Sequence, residues 1–429
     1  MKKEYLYANT VNSARRTFLK VLIITSLELP IFFKNCIAKN SNEALINVLD
    51  FGAKGDGIND DSLAFQQACN HACRRGGGRV FIPNPIMEYK LLFPVYLMDN
   101  TELFGEGDNT RIVFMDPILK KGRGGFVIGS SLEANRDIAL KNVENNIDAT
   151  TFNSSFINPK QRQYLRDNPS FIKSRNCSIH DVYLIARFTS RENNWGGYGV
   201  NFVNAINCHV FNIWGDGWTQ LVGMGSDVPP ETPSNHNCSA RNLHVVQPDL
   251  VSTYYSIGFI ANSTNCVIEN ATQDIPMTED SRNGSGVATN LCEDCQIKNI
   301  KIPNLGRTQT SEGVLINNSS GCLVENVSVG GAKTAVSVFY SLKETLNKGK
   351  PNIFNNITGN ECDVVFAVYS KYNIIRNVTG INSNKIIMLK NNNATDNIFY
   401  IDKNLVSLAN NASEDVLNKR NVFLNHSDY

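Results

Sequence analysis

The sequence predicts an all-β fold, a single-stranded parallel β-helix closed at its N-terminal end by one capping helix. Three observations predict it. The pattern N-C-x-x-x-N recurs with a nearly fixed period, the intervening segments alternate apolar and polar residues as strands do, and one amphipathic helical segment precedes the repeats. We place the β-helix domain at residues 45–410 and a C-terminal tail at residues 411–429.

The repeat consists of a cysteine column and, four residues later, a polar column that is mostly asparagine. Successive cysteines are 27 to 31 residues apart, and the paired positions are Cys177 and Asp181, Cys208 and Asn212, Cys238 and Asn242, Cys266 and Asn270, Cys295 and Asn299, and Cys322 and Asn326. A period of this length indicates a solenoid. Equivalent residues would stack about 4.8 Å apart, with cysteines filling the interior and asparagine amides bonding from coil to coil. We expect these cysteines to be buried and free, because an in-register stack seldom provides disulfide geometry.

The capping helix is predicted at about residues 60–75. Asp60 or Asp61 can begin it, apolar residues recur at helical spacing, and the glycine run at 76–78 ends it. Such a helix covers the open end of a solenoid's apolar interior. Two polar segments, at about residues 131–173 and at residues 224–237, have the composition of inserted loops, and we expect them to wall a groove.

Residues 1–38 have the features of a twin-arginine export signal. The segment SARRTFLK at 13–20 precedes a short apolar stretch, and Cys36-Ile37-Ala38 suits signal peptidase. We therefore expect the twin-arginine export machinery as a partner and a periplasmic or extracellular location. No run reaches the roughly 18 apolar residues of a membrane span. The 41 basic and 40 acidic residues nearly cancel, which argues against a nucleic-acid binder.

The segment before the repeats carries a second set of motifs. Residues 50–61 read DFGAKGDGINDD, residues 76–83 read GGGRVFIP, and residues 103–107 read LFGEG. These motifs resemble the opening of the pectate-lyase-like superfamily, and the rhamnogalacturonase/epimerase-like branch is the most similar group. The resemblance implies a right-handed parallel β-helix that acts on polysaccharides or binds them. It also implies structural roles for the acids of the opening, which are Asp50, Asp56, Asp60 and Asp61.

The column eight residues after each cysteine carries two carboxylates. It holds Ile185, Asp216, Val246, Asp274, Pro303 and Gly330. Asp216 and Asp274 are two coils apart, about 9–10 Å by strand spacing, which is near the upper range for an inverting glycoside hydrolase. Asp216 could equally be a turn residue, because glycines flank it. The candidate catalytic residues are Asp216, Asp249, Asp274, Glu279 and Asp280.

Aromatic and arginine side chains near these coils are candidates for substrate binding. Aromatic rings can stack on sugars, and arginines can bind uronate carboxylates; the candidates are Arg187, Trp195, Tyr198, Trp214, Trp218, Tyr254, Tyr255 and Arg282. We interpret His236 and His244 as structural or surface residues. Of the motifs that polygalacturonases carry, only G-D-D has a counterpart, Gly215-Asp216-Gly217, with the second aspartate replaced. An acid–base pair would therefore have to be built from other residues.

The leading functional hypothesis is an exported glycoside hydrolase that cleaves an acidic or neutral polysaccharide with paired carboxylates. Carboxylates outnumber cations near the predicted groove, which favours a hydrolase over a polysaccharide lyase or uronate epimerase. A lyase could use Ca²⁺ held by the acidic loop 274–280, whereas the hydrolase needs no metal or cofactor. A non-catalytic glycan-binding or surface protein is the other alternative. The sequence predicts no oligomeric state.

Overall fold

The computed structural model describes residues 45–115, 124–129, 174–187, 197–225, 235–248, 255–276, 284–306, 311–339, 350–410 and 412–424. The predicted export signal at 1–38 and the predicted inserted loop at 131–173 lie outside these residues. The described residues form helices α1 (Ser62–Arg74) and α2 (Glu414–Lys419) and short 3-10 helices at Val48–Phe51 and Lys403–Leu405. None of these helices is long and apolar enough to cross a membrane.

Thirty strands make up most of the described chain. The first half contains β1 (Ile46–Asn47), β2 (Gly78–Phe81), β3 (Tyr89–Leu91), β4 (Val95–Leu97), β5 (Thr101–Phe104), β6 (Arg111–Met115), β7 (Gly124–Gly129), β8 (Ser174–Arg175), β9 (Ser178–Arg187), β10 (Tyr198–Val203), β11 (Ala205–Ile206), β12 (His209–Trp218), β13 (Gln220–Met224), β14 (Asn235–His236) and β15 (Ser239–Pro248). The second half contains β16 (Tyr255–Ala261), β17 (Ser263–Thr264), β18 (Val267–Gln273), β19 (Ser285–Asn290), β20 (Gln296–Ile302), β21 (Glu312–Asn317), β22 (Leu323–Gly330), β23 (Thr334–Phe339), β24 (Asn352–Asn360), β25 (Val364–Val368), β26 (Asn373–Ile381), β27 (Lys385–Leu389), β28 (Ile398–Tyr400), β29 (Val406–Leu408) and β30 (Val422–Phe423).

These strands form three parallel sheets, and the predicted β-helix is confirmed. The first sheet has 15 strands in the order β1-β2-β5-β9-β12-β15-β18-β20-β22-β24-β26-β28-β30, with β3 and β6 joined to it through β9. The second sheet has 11 strands, from β4 to β29, and the third has four, β8, β11, β14 and β17. A full coil passes through the three sheets in turn, as β9, β10 and β11 do.

The two large sheets differ in how much of their outer faces they expose. First-sheet strands such as β20 alternate buried and partly exposed residues, whereas β13 and β25 in the second sheet are buried along their whole length. An alternating strand has one face in the core and one toward solvent. The outer face of the first sheet is therefore the surface more open to a ligand.

The cysteine column lies in the interior, as predicted. Its six members are buried, and every cysteine in the described part of the chain is free. The Cys177 thiol donates to the Met98 carbonyl at 2.9 Å, and the Cys238 thiol donates to the Ala205 carbonyl at 3.4 Å. Burial raises the pKa of the Cys238 and Cys322 thiols. Because the thiolate is the reactive form, burial makes these two thiols less reactive, whereas hydrogen bonds from neighbouring thiols lower the pKa of Cys208 and Cys266.

The asparagine column forms the predicted hydrogen-bonded ladder. Each amide donates to the side-chain oxygen of the preceding coil, at 2.8 to 3.1 Å, from Asn212 on Asp181 to Asn356 on Asn326. These residues also share a left-handed backbone, with φ between 52° and 56°. Asparagine and aspartate tolerate that conformation better than other residues with side chains. Asparagine is therefore favoured at these positions both by the left-handed backbone and by the hydrogen bonds of its side chain.

The opening motif is structural, as the resemblance implied, and α1 confirms the capping helix. The Asp61 carboxylate accepts the backbone N–H groups of Lys54 and Gly55 at 2.7 and 3.2 Å. At the other end, the domain boundary predicted at residue 410 is wrong, because β30 pairs with β28 and extends the first sheet to Phe423. Its two residues follow a short helix, and a strand of that length gives too weak a sequence pattern to be recognised.

Candidate active site

Three of the predicted site residues lie at one edge of the first sheet. Arg187 ends β9, Asp216 lies two residues before the end of β12, and Asp274 directly follows β18. The sheet order β9-β12-β15-β18 places Asp216 and Asp274 two coils apart, as predicted. We call the edge formed by Arg187, Asp216 and Asp274 the site edge.

A β-bulge in β15 changes how Asp216 aligns with the next coil. Gly215 pairs with Val245, but Asp216 pairs with Gln247, so Val246 is left over in β15. The backbone N–H of Asp274 bonds to the Val245 carbonyl, which aligns Asp274 with the leftover Val246. The prediction that Asp216, Val246 and Asp274 share one register column is therefore wrong by one residue at β15. Bulges of this kind often redirect a side chain next to a functional site.

Neighbouring atoms lie so close to the two glycines around Asp216 that a side chain would not fit at either position. A Cβ atom at Gly215 would lie 2.4 Å from a Leu221 methyl carbon, and one at Gly217 would lie 2.6 Å from the Ala186 carbonyl oxygen. Gly217 also has φ of +74°, in the left-handed region. The Gly-Asp-Gly motif is thus a structural device that fixes the position of the carboxylate between its glycines.

The Asp216 carboxyl is half-buried, and its surroundings act on its protonation in opposite directions. Burial raises the pKa of Asp216, and the positive charges of Arg111 and Arg187 act against that rise. Burial and the Asp216 carboxylate also raise the pKa of Tyr183. The outcome for Asp216 is a raised pKa, which favours the protonated acid more than exposure to water would.

The two arginines near Asp216 are held differently. The Arg187 guanidinium binds both oxygens of Glu88, with Nη1–Oε1 and Nη2–Oε2 distances of 2.5 and 3.1 Å. The Arg111 guanidinium lies 4.8 Å from the centre of the Tyr183 ring, a cation–π contact. Glu88 therefore neutralises most of the charge of Arg187, while Arg111 rests on an uncharged ring.

Asp274 has a different environment from Asp216. Its side chain is 50% exposed, and one carboxylate oxygen lies 2.8 Å from His244 Nε2. The other ring nitrogen of His244 lies 2.8 Å from the Thr272 hydroxyl. Hydrogen bonds at both nitrogens fix the imidazole plane, and the imidazole in turn fixes the orientation of the Asp274 carboxylate.

The aromatic candidates are divided among three environments. Trp214 is partly exposed on the outer face of the first sheet, in register with Tyr183 and His244. Trp218 is only 2% exposed, and its indole N–H donates to the Leu184 carbonyl at 2.9 Å. The prediction that Trp218 stacks on a sugar is therefore wrong, since the extra residue Gly217 interrupts the β12 alternation and turns this ring into the core. Tyr198 and Tyr255 begin strands β10 and β16 of the second sheet.

The remaining candidates fall in connections that lie outside the described residues. These candidates are Trp195, Asp249, Tyr254, Glu279, Asp280 and Arg282. In sequence, each of these candidates falls between the end of a first-sheet strand and the start of a second-sheet strand, in the segments 188–196, 249–254 and 277–283. The residues of the site edge lie at the same ends of first-sheet strands. Most of the segment at 224–237, which was expected to wall the groove, lies outside the described residues; the strands on either side of it, β13 and β14, belong to the second and third sheets.

The sequence analysis did not identify Glu88, Arg111 or Tyr183 as part of this site, and it interpreted His244 as a structural or surface residue. A signal for two of them exists in the repeat, because Tyr183, Trp214 and His244 each lie six residues after a column cysteine. Arg111 and Glu88 precede the repeat, so no column finds them. Within the described residues, no cluster of three or more His, Cys, Asp or Glu side chains could hold a metal ion.

Comparisons with known proteins agree with this architecture. The family model for rhamnogalacturonase A/epimerase, pectate lyase-like proteins matches residues 45–245, and no curated protein matches the sequence. The tailspike protein of E. coli bacteriophage HK620, solved with a pentasaccharide, is similar with a TM-score of 0.56 at 13% identity, over 91% of this chain and 68% of the tailspike chain. An exopolygalacturonase from Thermotoga maritima gives a TM-score of 0.45 at 13% identity over 89% and 92% of the two chains. The Streptococcus pneumoniae adhesin PfbA gives 0.42 at 12% identity over 83% and 85%.

The residues matched by the family model include the N-terminal cap and the first coils of the β-helix. The matched residues contain the capping helix, the structural acids of the opening motif and the first coils of the cysteine and asparagine columns. At such low identity, the likeness to the tailspike protein supports the fold alone. The chain is therefore similar to rhamnogalacturonase A/epimerase, pectate lyase-like proteins over residues 45–245, and its described residues form a parallel β-helix, the fold it shares with the tailspike protein.

Proposed function

We propose that this protein is a glycoside hydrolase that cleaves an acidic or neutral polysaccharide at the site edge. One observation carries the proposal: two carboxyl groups, Asp216 and Asp274, lie two coils apart on one sheet edge, the first half-buried near two arginines and the second more exposed and bonded to His244. A glycoside hydrolase needs two such carboxyl groups, one as the acid and one as the base or nucleophile. The open outer face of the first sheet gives an extended polymer access to both.

In the proposed mechanism, Asp216 is the general acid and Asp274 the general base. Asp216 gives its proton to the glycosidic oxygen as the bond to the anomeric carbon breaks, and Asp274 takes a proton from the water that attacks that carbon. One water is consumed and one new reducing end appears. Two strand spacings separate the residues by about 9–10 Å, which leaves room for the water of an inverting mechanism.

The neighbouring residues support these two roles. When Asp216 has lost its proton, the charges of Arg111 and Arg187 stabilise the carboxylate that remains. His244 holds the Asp274 carboxylate in one orientation. Trp214, two residues before Asp216 on the outer face of β12, is positioned to contact a sugar ring next to Asp216.

A polysaccharide lyase or uronate epimerase is the second candidate. The observation that favours it is Tyr183, a phenol in contact with Arg111 and next to Asp216, since such a reaction needs a base and nearby cations. The raised pKa of Tyr183 works against that role, because it keeps the phenol protonated. A glycan-binding protein without activity would use the same edge but consume no water.

A polysaccharide panel with two readouts separates these functions. A hydrolase releases reducing ends without ultraviolet absorbance, a lyase produces an unsaturated product that absorbs, and a binder produces neither. We expect Asp216→Asn to lower kcat by about 10²- to 10⁴-fold with an unchanged circular-dichroism spectrum. Asp50→Asn, an exposed acid at the cap, is the matched control and should leave kcat unchanged. Full activity in the Asp216→Asn chain would contradict the proposal.

A further inference from the structure

Three side chains at the outer face of the first sheet form a continuous chain of hydrogen bonds. His244 Nδ1 lies 2.8 Å from the Thr272 hydroxyl, and His244 Nε2 lies 2.8 Å from Asp274 Oδ2. The His244 side chain is 36% exposed, and Thr272 is partly exposed. All three groups are therefore within reach of a ligand that lies on this face.

The Asp274 carboxylate sets the direction of these bonds. An ionised carboxylate only accepts hydrogen bonds, so His244 donates to it from Nε2. In the neutral imidazole Nδ1 then carries a lone pair, and the Thr272 hydroxyl donates to it. A hydroxyl that donates to a base, with that base oriented by a carboxylate, is the arrangement that activates a nucleophile.

Other coils contain the histidine–hydroxyl bond without the carboxylate. His209 Nδ1 lies 2.8 Å from the Ser239 hydroxyl, and His236 Nδ1 lies 2.7 Å from the Thr264 hydroxyl. Among the histidines of the described residues, only His244 bonds a hydroxyl at one nitrogen and a carboxylate at the other. The stacking of coils explains the histidine–hydroxyl contact, but it does not require the carboxylate.

The neighbouring coils place two further groups in line with these three. Trp214 is in register with His244 on one side, and Lys301 is in register with Thr272 on the other. Successive coils are about 4.8 Å apart, so the substituents of a sugar ring on Trp214 extend over His244 toward Thr272. Lys301 is exposed one coil beyond, and its ammonium is suited to stabilise negative charge on an oxygen at Thr272.

We propose that Thr272 and His244, oriented by Asp274, form a second active site that hydrolyses O-acyl esters on a sugar bound at Trp214. A hydroxyl activated by an imidazole attacks a carbonyl carbon, and a sugar presents such a carbon where one of its hydroxyls is esterified. This activity goes beyond the proposed glycoside hydrolysis, which needs no ester and no nucleophilic hydroxyl. Asp274 serves both.

The ester hydrolysis has two steps. In the first, Thr272 Oγ1 bonds to the ester carbonyl carbon and its proton passes to His244 Nδ1. The bond from that carbon to the sugar oxygen then breaks, and the sugar oxygen leaves with the proton as a hydroxyl. In the second, water attacks the acyl-threonine and gives a proton to His244, and a carboxylic acid is released as that proton returns to Thr272. Asp274 is a positioning residue, because it keeps the imidazole in the tautomer that accepts the proton.

The test measures acetate released from p-nitrophenyl acetate and from chemically acetylated xylan by the full chain. Thr272→Val keeps the shape of the side chain and removes the nucleophile, and we expect it to lower kcat about 100-fold or more with an unchanged circular-dichroism spectrum. Thr264→Val is the matched control, because Thr264 bonds His236 in the same way without a carboxylate, and it should release acetate at the wild-type rate. Acid quenching during turnover, followed by mass spectrometry, should find an acetyl group on Thr272 of the wild type.

The role of Asp274 is tested by separating kcat from KM. We expect Asp274→Asn to lower kcat for acetate release by about 10²- to 10⁴-fold with KM changed less than about twofold. Asp274→Glu should recover part of the loss, because it restores a carboxylate that accepts from the imidazole.

The proposal falls if the wild type releases no acetate from either ester, if Thr272→Val keeps the wild-type rate, or if Thr264→Val loses as much activity. It also falls if the acetyl group is trapped on another residue. Glycoside hydrolysis is followed separately, as new reducing ends on the polysaccharide panel, so its failure and the failure of ester hydrolysis are seen in different products.

Discussion

At the scale of single residues, Asp216 and Asp274 show how two like side chains acquire different chemistry. Asp216 is half-buried, so its neutral form is favoured, and the cationic residues beside it limit that effect without cancelling it. Asp274 is exposed and bonded to His244. The difference arises from where each residue lies in its coil. Asp216 lies within β12, next to the bulge in β15, whereas Asp274 follows the last residue of β18.

The charge of Arg111 gives the first prediction, which concerns pH. Arg111 lowers the pKa of Asp216, so Arg111→Gln should raise that pKa further. In the proposed mechanism Asp216 must be protonated to act as the general acid, so activity should fall as pH rises through the pKa of Asp216. The alkaline limb of the kcat/KM profile should therefore move to higher pH in the Arg111→Gln chain. Arg79→Gln is the matched control, since Arg79 also lies over an aromatic ring, Phe104, and it should leave the limb in place. A limb that moves to lower pH would refute the role of Asp216 as the acid.

His244 gives the second prediction, which concerns positioning. Without the imidazole, the Asp274 carboxylate can rotate, and a small misplacement of a reacting group costs about 10- to 100-fold in rate. We expect His244→Ala to lower kcat by that factor with KM changed less than about twofold, and His244→Gln to recover part of the loss through its amide. His236→Ala is the control, because His236 makes a similar bond, 2.7 Å to Thr264, in the third sheet. An equal loss of kcat in both alanine variants would mean that the effect is structural.

At the scale of elements, the sequence pattern predicts the columns well and their interruptions poorly. Each coil contributes one strand to the first sheet, so the ladder, the buried thiols and the two-coil separation of the acids could all be derived from the repeat of Cys208 and Asn212. The bulge at Val246 could not, because a bulge adds one residue without changing the apolar alternation on either side. The inward position of Trp218 could not be derived for a similar reason, since a second irregularity leaves Gly217 over in β12 and shifts which residues face inward after Asp216.

The asparagine ladder gives the third prediction, on stability. Asn326 donates to Asn299 at 2.9 Å, accepts from Asn356 at 2.8 Å, and has φ of 55°. Asn326→Ala removes both bonds and places an alanine in the left-handed region, and each bond contributes about 1 kcal/mol and the backbone about 1 to 2 kcal/mol. Asn326→Gly loses the same bonds without that backbone strain. Denaturant unfolding should therefore show glycine to be the less harmful substitution by about 1 kcal/mol. Alanine and glycine variants of equal stability would mean that the positive φ contributes nothing.

At the scale of the whole molecule, the thiols and the predicted export signal bear on each other. The interior of the described solenoid holds a column of free cysteines whose thiols donate to carbonyl groups of neighbouring coils. In an oxidising compartment an unfolded chain with these thiols would form disulfides that the coil geometry cannot accommodate. Folding before export avoids this, because the packed interior then shields the sulfurs from oxidants.

The last prediction concerns transport of the folded chain. Replacing Arg15 and Arg16 by lysine should leave the chain folded in the cytoplasm and absent from the periplasm or medium, as measured by fractionation and immunoblotting. A fusion of residues 45–429 to a leader for unfolded export should reach the periplasm with oxidised cysteines and little folded protein, seen by mass spectrometry after thiol alkylation. The control, the unaltered chain, should yield free thiols after export. Normal export of the lysine variant, or a folded and reduced product from the unfolded route, would show that the cysteine interior places no demand on the export pathway.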